Sequence, residues 1–283
     1  MTVGEALDFG RGALREAGVS SATLDAALLL MRAAALSRTE LATKHCQILT
    51  SIQRNMYEEM LAQRAALRPV QYILGECEFM GLTFAVDERV LIPRPDTEIL
   101  AEAVIAWASS LEGPRVLDLG TGSGALAVAV AHYVENSGVT AVDICGDALE
   151  VARDNALKDG CARRICFLRG DLFDAVPAGQ VFDIIMSNPP YISDGEVLPL
   201  SVAGYEPPGA LFGGARGLDF YERIVSGAQE FLTPITGKLF LEIGFGQAAA
   251  VLRMLDNEGY ADVTVLPDLA GIERVISAAL PDL

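Results

Sequence analysis

The chain has 283 residues, 51% of them hydrophobic and 21% charged, with a formal net charge of −17, which supports a large core and excludes a disordered chain. The charge is uneven: residues 1–90 carry 11 acidic and 9 basic side chains, whereas residues 91–283 carry 27 and 12, a surface that repels a phosphate backbone and argues against direct nucleic-acid binding. Five cysteines without a Cys-x-x-Cys pair, and only His45 and His132, argue against a disulfide framework and a His-based metal site.

The N-terminus opens Met1-Thr2-Val3-Gly4-Glu5 with no basic stretch leading into an apolar one, so no signal peptide is read and the protein is expected in the cytoplasm. The cysteines are then expected as reduced, mostly buried thiols. The longest apolar runs, such as 26–31 and 125–131, are far too short to span a bilayer, so no membrane partner is expected. Residues 1–75 read as a small all-helical domain. Thr2-x-x-Glu5 is a capping-box pattern, with Val3, Leu7 and Leu14 on one stripe and Gly18 as the stop. Leu24 to Met31 is apolar nearly all round and reads as a central helix. Thr50-x-x-Gln53 caps another, with Ile52, Met56, Met60 and Leu67 expected inward. No catalytic constellation occurs here, which fits a packing or recognition domain.

Residues 76–92 change period: Phe79, Leu82, Phe84, Val86, Val90 and Leu91, broken by Gly81 and Asp87-Glu88, predict a β-hairpin linker. In Pro93-Arg94-Pro95-Asp96-Thr97-Glu98, Asp96 or Thr97 is expected to cap a helix carrying Ile99, Leu100, Val104 and Trp107. From Arg115 strands and helices alternate. Strands are read at 115–119, 139–143, 164–168, 181–187, 238–243, 261–266 and 272–279, and helices at 123–133, 147–158, 218–231 and 246–257. That order predicts an α/β fold with a doubly wound, mostly parallel seven-stranded sheet over 93–283, ending in an antiparallel hairpin. The Gly- and Pro-rich segment 192–217 is too long for a simple connection and reads as a lid or substrate loop.

Val116-Leu117-Asp118-Leu119-Gly120-Thr121-Gly122-Ser123-Gly124 is a strand running into a glycine loop that opens a helix. Glycines let the backbone approach a ligand closely. The spacing also fits a dinucleotide fingerprint. However, Asp118 beside a pyrophosphate would be repelled, whereas it suits a sulfonium or an ammonium. Asp143 ends the next strand, where a ribose diol would sit. Asp171 follows the third strand, where an adenine amino group would sit, with Leu172 and Phe173 against the ring. Taken singly, each Asp reads as a cap or turn residue. The ordered set reads as a site for S-adenosylmethionine (AdoMet).

The run Val181-Phe182-Asp183-Ile184-Ile185-Met186 ends in Ser187-Asn188-Pro189-Pro190-Tyr191. Two prolines cannot continue a central strand, so it must stop at Asn188 with a stiff backbone. Ligands of open α/β sheets bind beyond the carboxyl ends of strands. Asn188 Oδ1 and the Pro189 carbonyl can both accept from a planar NH2 group, and Tyr191 can cover its plane. A Pro-rich turn opening on Asn is the plainer alternative.

With these stretches together, the chain resembles the class I AdoMet-dependent methyltransferases, whose Asn-Pro-Pro-Tyr members methylate planar, conjugated amino groups. Pro69 to Gly75, Pro93 to Glu98, Tyr205-Glu206-Pro207 and Leu241-Glu242-Ile243-Gly244 are similar to the release factor glutamine methyltransferases of the HemK/PrmC type. The resemblance implies a Rossmann-like catalytic domain and a helical substrate-recognition domain. It implies methyl transfer from AdoMet to the glutamine side-chain amide nitrogen in the Gly-Gly-Gln motif of peptide chain release factors. It places Gly120, Thr121, Gly122, Ser123, Gly124, Asp143, Asp171, Leu172 and Asn188 at the cofactor. Asn188, Pro189, Pro190 and Tyr191 fall at the substrate, with Asn188, Pro189 and Tyr191 catalytic. Leu172 departs from the aromatic residue frequent there. The expected partner is a release factor and the expected state a monomer. The alternative is an amino-methyltransferase acting on adenine in DNA or RNA, against which the acidic catalytic region stands.

Overall fold

The computed structural model describes residues 1–281 and falls into two compact units. The first comprises Met1–Glu76 and Leu198–Tyr205. Helix α1 (Val3–Glu16) starts in a capping box: Thr2 Oγ1 accepts from the Glu5 N–H while the Glu5 carboxylate accepts from the Thr2 N–H. α2 (Ala22–Ala34) buries Ala26, Leu29 and Leu30 on its inward face and holds Asp25 there against Arg64 at 2.7 Å, although Leu24 is exposed. α3 (Arg38–Thr43) and α5 (Val70–Leu74) are short helices that periodicity does not reveal; α3 has its own capping box on Ser37. α4 (Ser51–Ala65) starts at Thr50 as expected, but its inward face differs from the expected stripe. Ile52 and Met56 are exposed, at 78% and 40%, while Tyr57, Met60 and Leu61 are buried. A pure i, i+4 series drifts about 40° round the helix at each step, so residues 52 and 60 lie about 80° apart and the series runs from the edge of the inward face toward its centre. The buried Tyr57 hydroxyl donates to the Ala26 carbonyl at 3.1 Å, which fixes that register. Within this unit the Tyr205 hydroxyl also donates to the Ala66 carbonyl, at 2.8 Å.

The second unit holds Cys77–Val197 and the chain from Glu206 onward. Strands β1 (Glu76–Phe79) and β2 (Leu82–Ala85) form a two-stranded hairpin. Its Phe79 and Phe84 pack edge to face and join the core of this unit, so the hairpin is part of the packing rather than a free connection. Then follow α6 (Thr97–Ala108), β3 (Arg115–Leu119), α7 (Ala125–Tyr133), β4 (Gly138–Asp143), α8 (Gly146–Asp159), β5 (Ile165–Arg169) and β6 (Ile184–Ser187). The chain passes through α9 (Leu200–Ala203), counted with the first unit, and returns as α10 (Asp219–Ala228), β7 (Lys238–Glu242), α11 (Ala248–Asn257), β8 (Ala261–Pro267) and β9 (Glu273–Ala279).

The sheet order is β5-β4-β3-β6-β7-β9-β8, parallel except for β9 against β7 and β8. This is the expected α/β sheet with its antiparallel terminal hairpin. Alternate residues of each buried strand serve two cores. Val116, Ala141, Ile184 and Phe240 face α6 and α7, and Leu117, Val142, Ile185 and Leu239 face α10 and α11. β6 is shorter than expected because Phe182 makes only an isolated bridge, to Leu232. Of the five free cysteines only Cys161 is buried; Cys46, Cys145 and Cys166 are exposed, so the expectation of mostly buried thiols fails. Among the described residues no helix is long and apolar enough to cross a membrane.

Candidate active site

Strand order reverses on either side of the β3–β6 pair, which opens a crevice at the carboxyl edge of the sheet. The registers Leu119↔Ser187 and Ser187↔Leu241 set the following residues, Gly120, Asn188 and Glu242, on three adjacent strand ends. Ser187 Oγ locks two of these ends by donating to the Leu119 carbonyl at 2.7 Å. A cavity of about 330 Å³ lies here, a volume within the range of small-molecule sites. Its walls include Gly120, Gly122, Asp143, Asp171 and Leu172 from one side and Asn188, Pro189 and Pro190 from the other.

The glycine loop forms a cradle. Gly120 and Gly122 have φ of +75° and +55°, and a Cβ built on either would meet nothing within 4 Å. Gly124, at φ +80°, has a different role: its Cβ would lie 3.0 Å from Ala152 Cβ, so it permits close packing of α7 on α8. Thr121, Ser123 and Gly124 do not line the cavity. The Thr121 hydroxyl turns inward and donates to Asp118 Oδ2 at 2.6 Å, and the Ser123 carbonyl accepts from Asn155 Nδ2 at 2.9 Å. Asn155 also pairs with both backbone groups of Ala85 and so ties the loop to β2. Asp118 is fully buried beneath the loop, and its Oδ1 has no partner among the described residues. Burial pushes its carboxyl up to about 7.

Asp143 is held by backbone donors: its Oδ2 accepts from the Gly122 N–H at 2.8 Å and its Oδ1 from the Cys145 N–H at 2.9 Å. Burial raises its pKa, against the lowering effect of those bonds. Each oxygen retains a lone pair for a further donor. Asp171, expected to meet an adenine amino group, pairs with Arg223 at 2.8 Å and lines the cavity. Leu172 is a buried, non-glycine residue at φ +50°, a costly conformation that ligand sites tend to retain. Phe173 corrects an expectation: its ring stacks on Phe231 at 4.8 Å in the core rather than facing the cavity, because the short helical turn after Asp171 rotates it inward. The aromatic ring in the cavity wall is Phe220, from α10.

At the substrate side, Asn188 Nδ2 donates to Thr97 Oγ1 at 3.0 Å. Asp96 and Thr97 do not cap α6 with their side chains; Asp96 pairs with Arg274 at 2.9 Å, and Thr97 serves Asn188. Tyr191 does not line this cavity. Its carbonyl accepts from Gln247 Nε2 at 2.9 Å, its ring packs on the core beside α10 and α11, and burial pushes its hydroxyl up. Two glycines of the 192–217 segment make this turn possible. A Cβ at Gly213 would lie 2.2 Å from the Pro190 carbonyl oxygen, and one at Gly217 2.1 Å from that of Tyr191.

Sequence reasoning missed several residues of the wall, among them Val90, Leu91, Pro207 and Phe220, which are ordinary apolar residues brought in by distant segments. It also missed the pairing of Arg94 with Glu206, although both lie in stretches that had been singled out.

Comparison with known proteins agrees with this geometry. A family model described as the PrmC N-terminal domain matches residues 5–75, and one described as the methyltransferase small domain matches residues 96–202. The chain is 41% identical to a release factor glutamine methyltransferase of Geobacter sulfurreducens, over 99% of this chain and 97% of that protein. It is 42% identical to one of Burkholderia pseudomallei, over 91% and 92% of the two chains. In fold alone it is similar to the crystal structure of a methyltransferase from Pyrococcus furiosus, with a TM-score of 0.52 at 18% identity over 79% of this chain and 97% of that one.

Proposed function

The chain belongs to the release factor glutamine methyltransferases, and on that premise we propose that it transfers a methyl group from AdoMet to the glutamine side-chain amide nitrogen in the Gly-Gly-Gln motif of peptide chain release factors. The observation that carries this reading is the cavity itself. One wall is the glycine cradle with Asp143, and the facing wall is Asn188-Pro189-Pro190. The cradle fits AdoMet: its two glycines leave room that any side chain would fill, and Asp143 keeps free lone pairs for a diol. Gly120, Gly122, Asp143, Asp171 and Leu172 would hold it, and when bound it supplies an electrophilic methyl group.

A primary amide nitrogen is a poor nucleophile because its lone pair is delocalised into the carbonyl. Asn188 Oδ1 and the Pro189 carbonyl, accepting from its two N–H bonds, fix the nitrogen and stabilise the positive charge that develops on it. The prolines and the Ser187–Leu119 bond keep those acceptors rigid, so little reorganisation remains during reaction. Positioning of this kind can be worth roughly 7–11 kcal/mol. The nearly neutral residues 1–75 serve to hold a part of the release factor distant from the methylated loop, and the acidic catalytic region suits a basic surface around that loop. The test is methyl transfer from labelled AdoMet to intact release factor, its Gln-to-Ala variant, DNA and RNA. Label only on the intact factor is expected. Label on the Gln-to-Ala variant or on nucleic acid would overturn the reading.

A further inference from the structure

The Asn188 side chain does its work only one way round. Oδ1 must face the substrate NH2 for the amide to act as acceptor, and an asparagine with no outside constraint has both orientations open to it. Behind Asn188 stand Thr97, the first residue of α6, and Glu242, the last residue of β7. Both are buried, Thr97 at 5% and Glu242 at 2%. Asn188 Nδ2 donates to Thr97 Oγ1 at 3.0 Å, and Glu242, on the strand end next to Asn188, lies close enough to the side chains of both for each to favour its ionised form. Glu242 Oε2 has no partner among the described residues. A buried carboxylate oxygen without a partner costs stability, so its retention needs a reason.

We propose that Glu242 is a positioning residue that, through the Thr97 hydroxyl, fixes the Asn188 amide with Oδ1 toward the substrate. This rests on the methyl-transfer reading above. The polarity follows from donor counting. An ionised carboxylate can only accept, so Thr97 must donate its single proton to Glu242. Thr97 Oγ1 is then left as an acceptor, which only the Nδ2 end of Asn188 can satisfy. The rigid Pro189-Pro190 backbone leaves the side-chain amide as the remaining freedom, and the two residues behind it remove that.

Protonation of Glu242 would reverse the chain. The carboxylic acid would donate to Thr97 Oγ1, Thr97 would donate to Asn188, and Oδ1 would turn away from the cavity. Burial pushes Glu242 up to about 7, helped by Asp96 just before α6 and opposed by Arg274 on β9, which also pairs with Asp96 and Asp268. The Tyr191 and Tyr221 side chains also lie within electrostatic range of Glu242, and both of their hydroxyls are pushed up by burial and so are neutral here.

Three measurements test the proposal. The first is kcat against pH for wild type and Glu242→Gln. An ascending limb near neutral pH is expected in wild type and should vanish in the variant; the same limb in both overturns the proposal. The second is Thr97→Val against Thr97→Ser. The valine variant should lose at least about tenfold in kcat, as for a misplaced acceptor. AdoMet affinity should be spared, and the serine variant should recover most of the loss. Equal kcat in wild type and Thr97→Val overturns the proposal. The third is hydrogen exchange of the Asn188 side-chain NH2, followed by NMR without substrate. Protection is expected in wild type and its loss in Thr97→Val; unchanged exchange overturns the proposal. A wild-type enzyme inactive on release factor would sink the substrate assignment alone, and the exchange measurement would still decide the orientation of Asn188.

Discussion

The Arg94 guanidinium lies 2.5 Å from the Glu206 carboxylate, which joins two stretches 112 residues apart in the chain. Glu206 is almost fully buried, whereas the Arg94 side chain is 35% exposed. Glu206 also accepts from the Ile92 N–H at 3.2 Å, so one carboxylate pins the segment before α6 to the middle of the long 192–217 segment after β6.

The two ends of this pair should not be equivalent. Arg94→Ala strands a buried carboxylate and should cost about 3 kcal/mol. Glu206→Gln keeps an acceptor for the Ile92 N–H and leaves an arginine that can reach water, so it should cost about 1 kcal/mol. Urea denaturation of the two variants gives the order directly. A larger loss in Glu206→Gln would mean that the arginine, not the carboxylate, is the group that burial isolates.

Gly122 and Gly124 share a loop and a positive φ but should fail differently. Alanine at either position pays roughly 1–2 kcal/mol for the left-handed backbone. At Gly124 the new methyl also meets Ala152, at 3.0 Å from its Cβ and 3.1 Å from its Cα, so Gly124→Ala should melt well below wild type. At Gly122 the methyl enters open space in the cavity wall. Gly122→Ala should therefore fold with only the backbone penalty yet bind AdoMet poorly. Paired melting and calorimetry would separate the two, and equal AdoMet affinity in Gly122→Ala and wild type would remove that glycine from the cradle.

The sheet and the cavity's polar anchors were legible because each rests on local chemistry. Alternation of strand and helix fixes the parallel sheet, Asn188-Pro189-Pro190 can only end a strand, and glycines before a helix mark a close approach. The inward face of α4 was not legible, because its register follows from the Tyr57 hydroxyl finding the Ala26 carbonyl, a contact 31 residues away. Phe173 and Tyr191 look like ring-stacking residues in sequence, yet the backbone turns that follow Asp171 and Pro190 carry both into the core. Nothing local distinguishes Thr97 from a helix cap, since its partner Asn188 lies 91 residues on.

Stability should fall as pH rises toward neutrality. Asp118 and Glu242 are carboxyls whose folded pKa values, each about 7, lie above their ordinary values of 3.8 and 4.5. A raised carboxyl is protonated in the folded protein while already ionised in the unfolded chain. The folded state therefore binds the extra proton, and its advantage is lost as pH climbs from the unfolded to the folded value. Each group contributes a slope of about −1.4 kcal/mol per pH unit in that window. Carboxyls with lowered values, such as Glu40 at about 2, act at lower pH and do not cancel it. Ligand-free protein should melt higher at pH 5.5 than at pH 7.5, and Asp118→Asn should reduce the difference. A flat or rising profile between these values would mean that water reaches one of these carboxylates.

Asp143 and Asn188 occupy facing walls of one cavity and should separate binding from turnover. Asp143→Ala removes a carboxylate that two backbone N–H groups already orient, so it deletes a prepared acceptor rather than a flexible one. A charge-assisted hydrogen bond of this type is worth roughly 1.5–3 kcal/mol. AdoMet affinity should drop about 10- to 100-fold for each bond lost, with kcat at saturating AdoMet within a few fold of wild type. Asn188→Ala removes an acceptor whose value grows as charge develops on the nitrogen, so its effect belongs to the transition state. Losing stabilisation of this kind costs on the order of 3–4 kcal/mol, a few hundredfold or more in kcat, while AdoMet affinity should stay within a few fold. Calorimetry with AdoMet and single-turnover transfer to release factor measure the two quantities independently. If Asn188→Ala turned over at near-normal rate, the acceptor for the amide would have to lie elsewhere. If Asp143→Ala bound AdoMet as wild type does, its two N–H partners would be the whole of its role, and the carboxylate would serve only to shape the Gly122 loop.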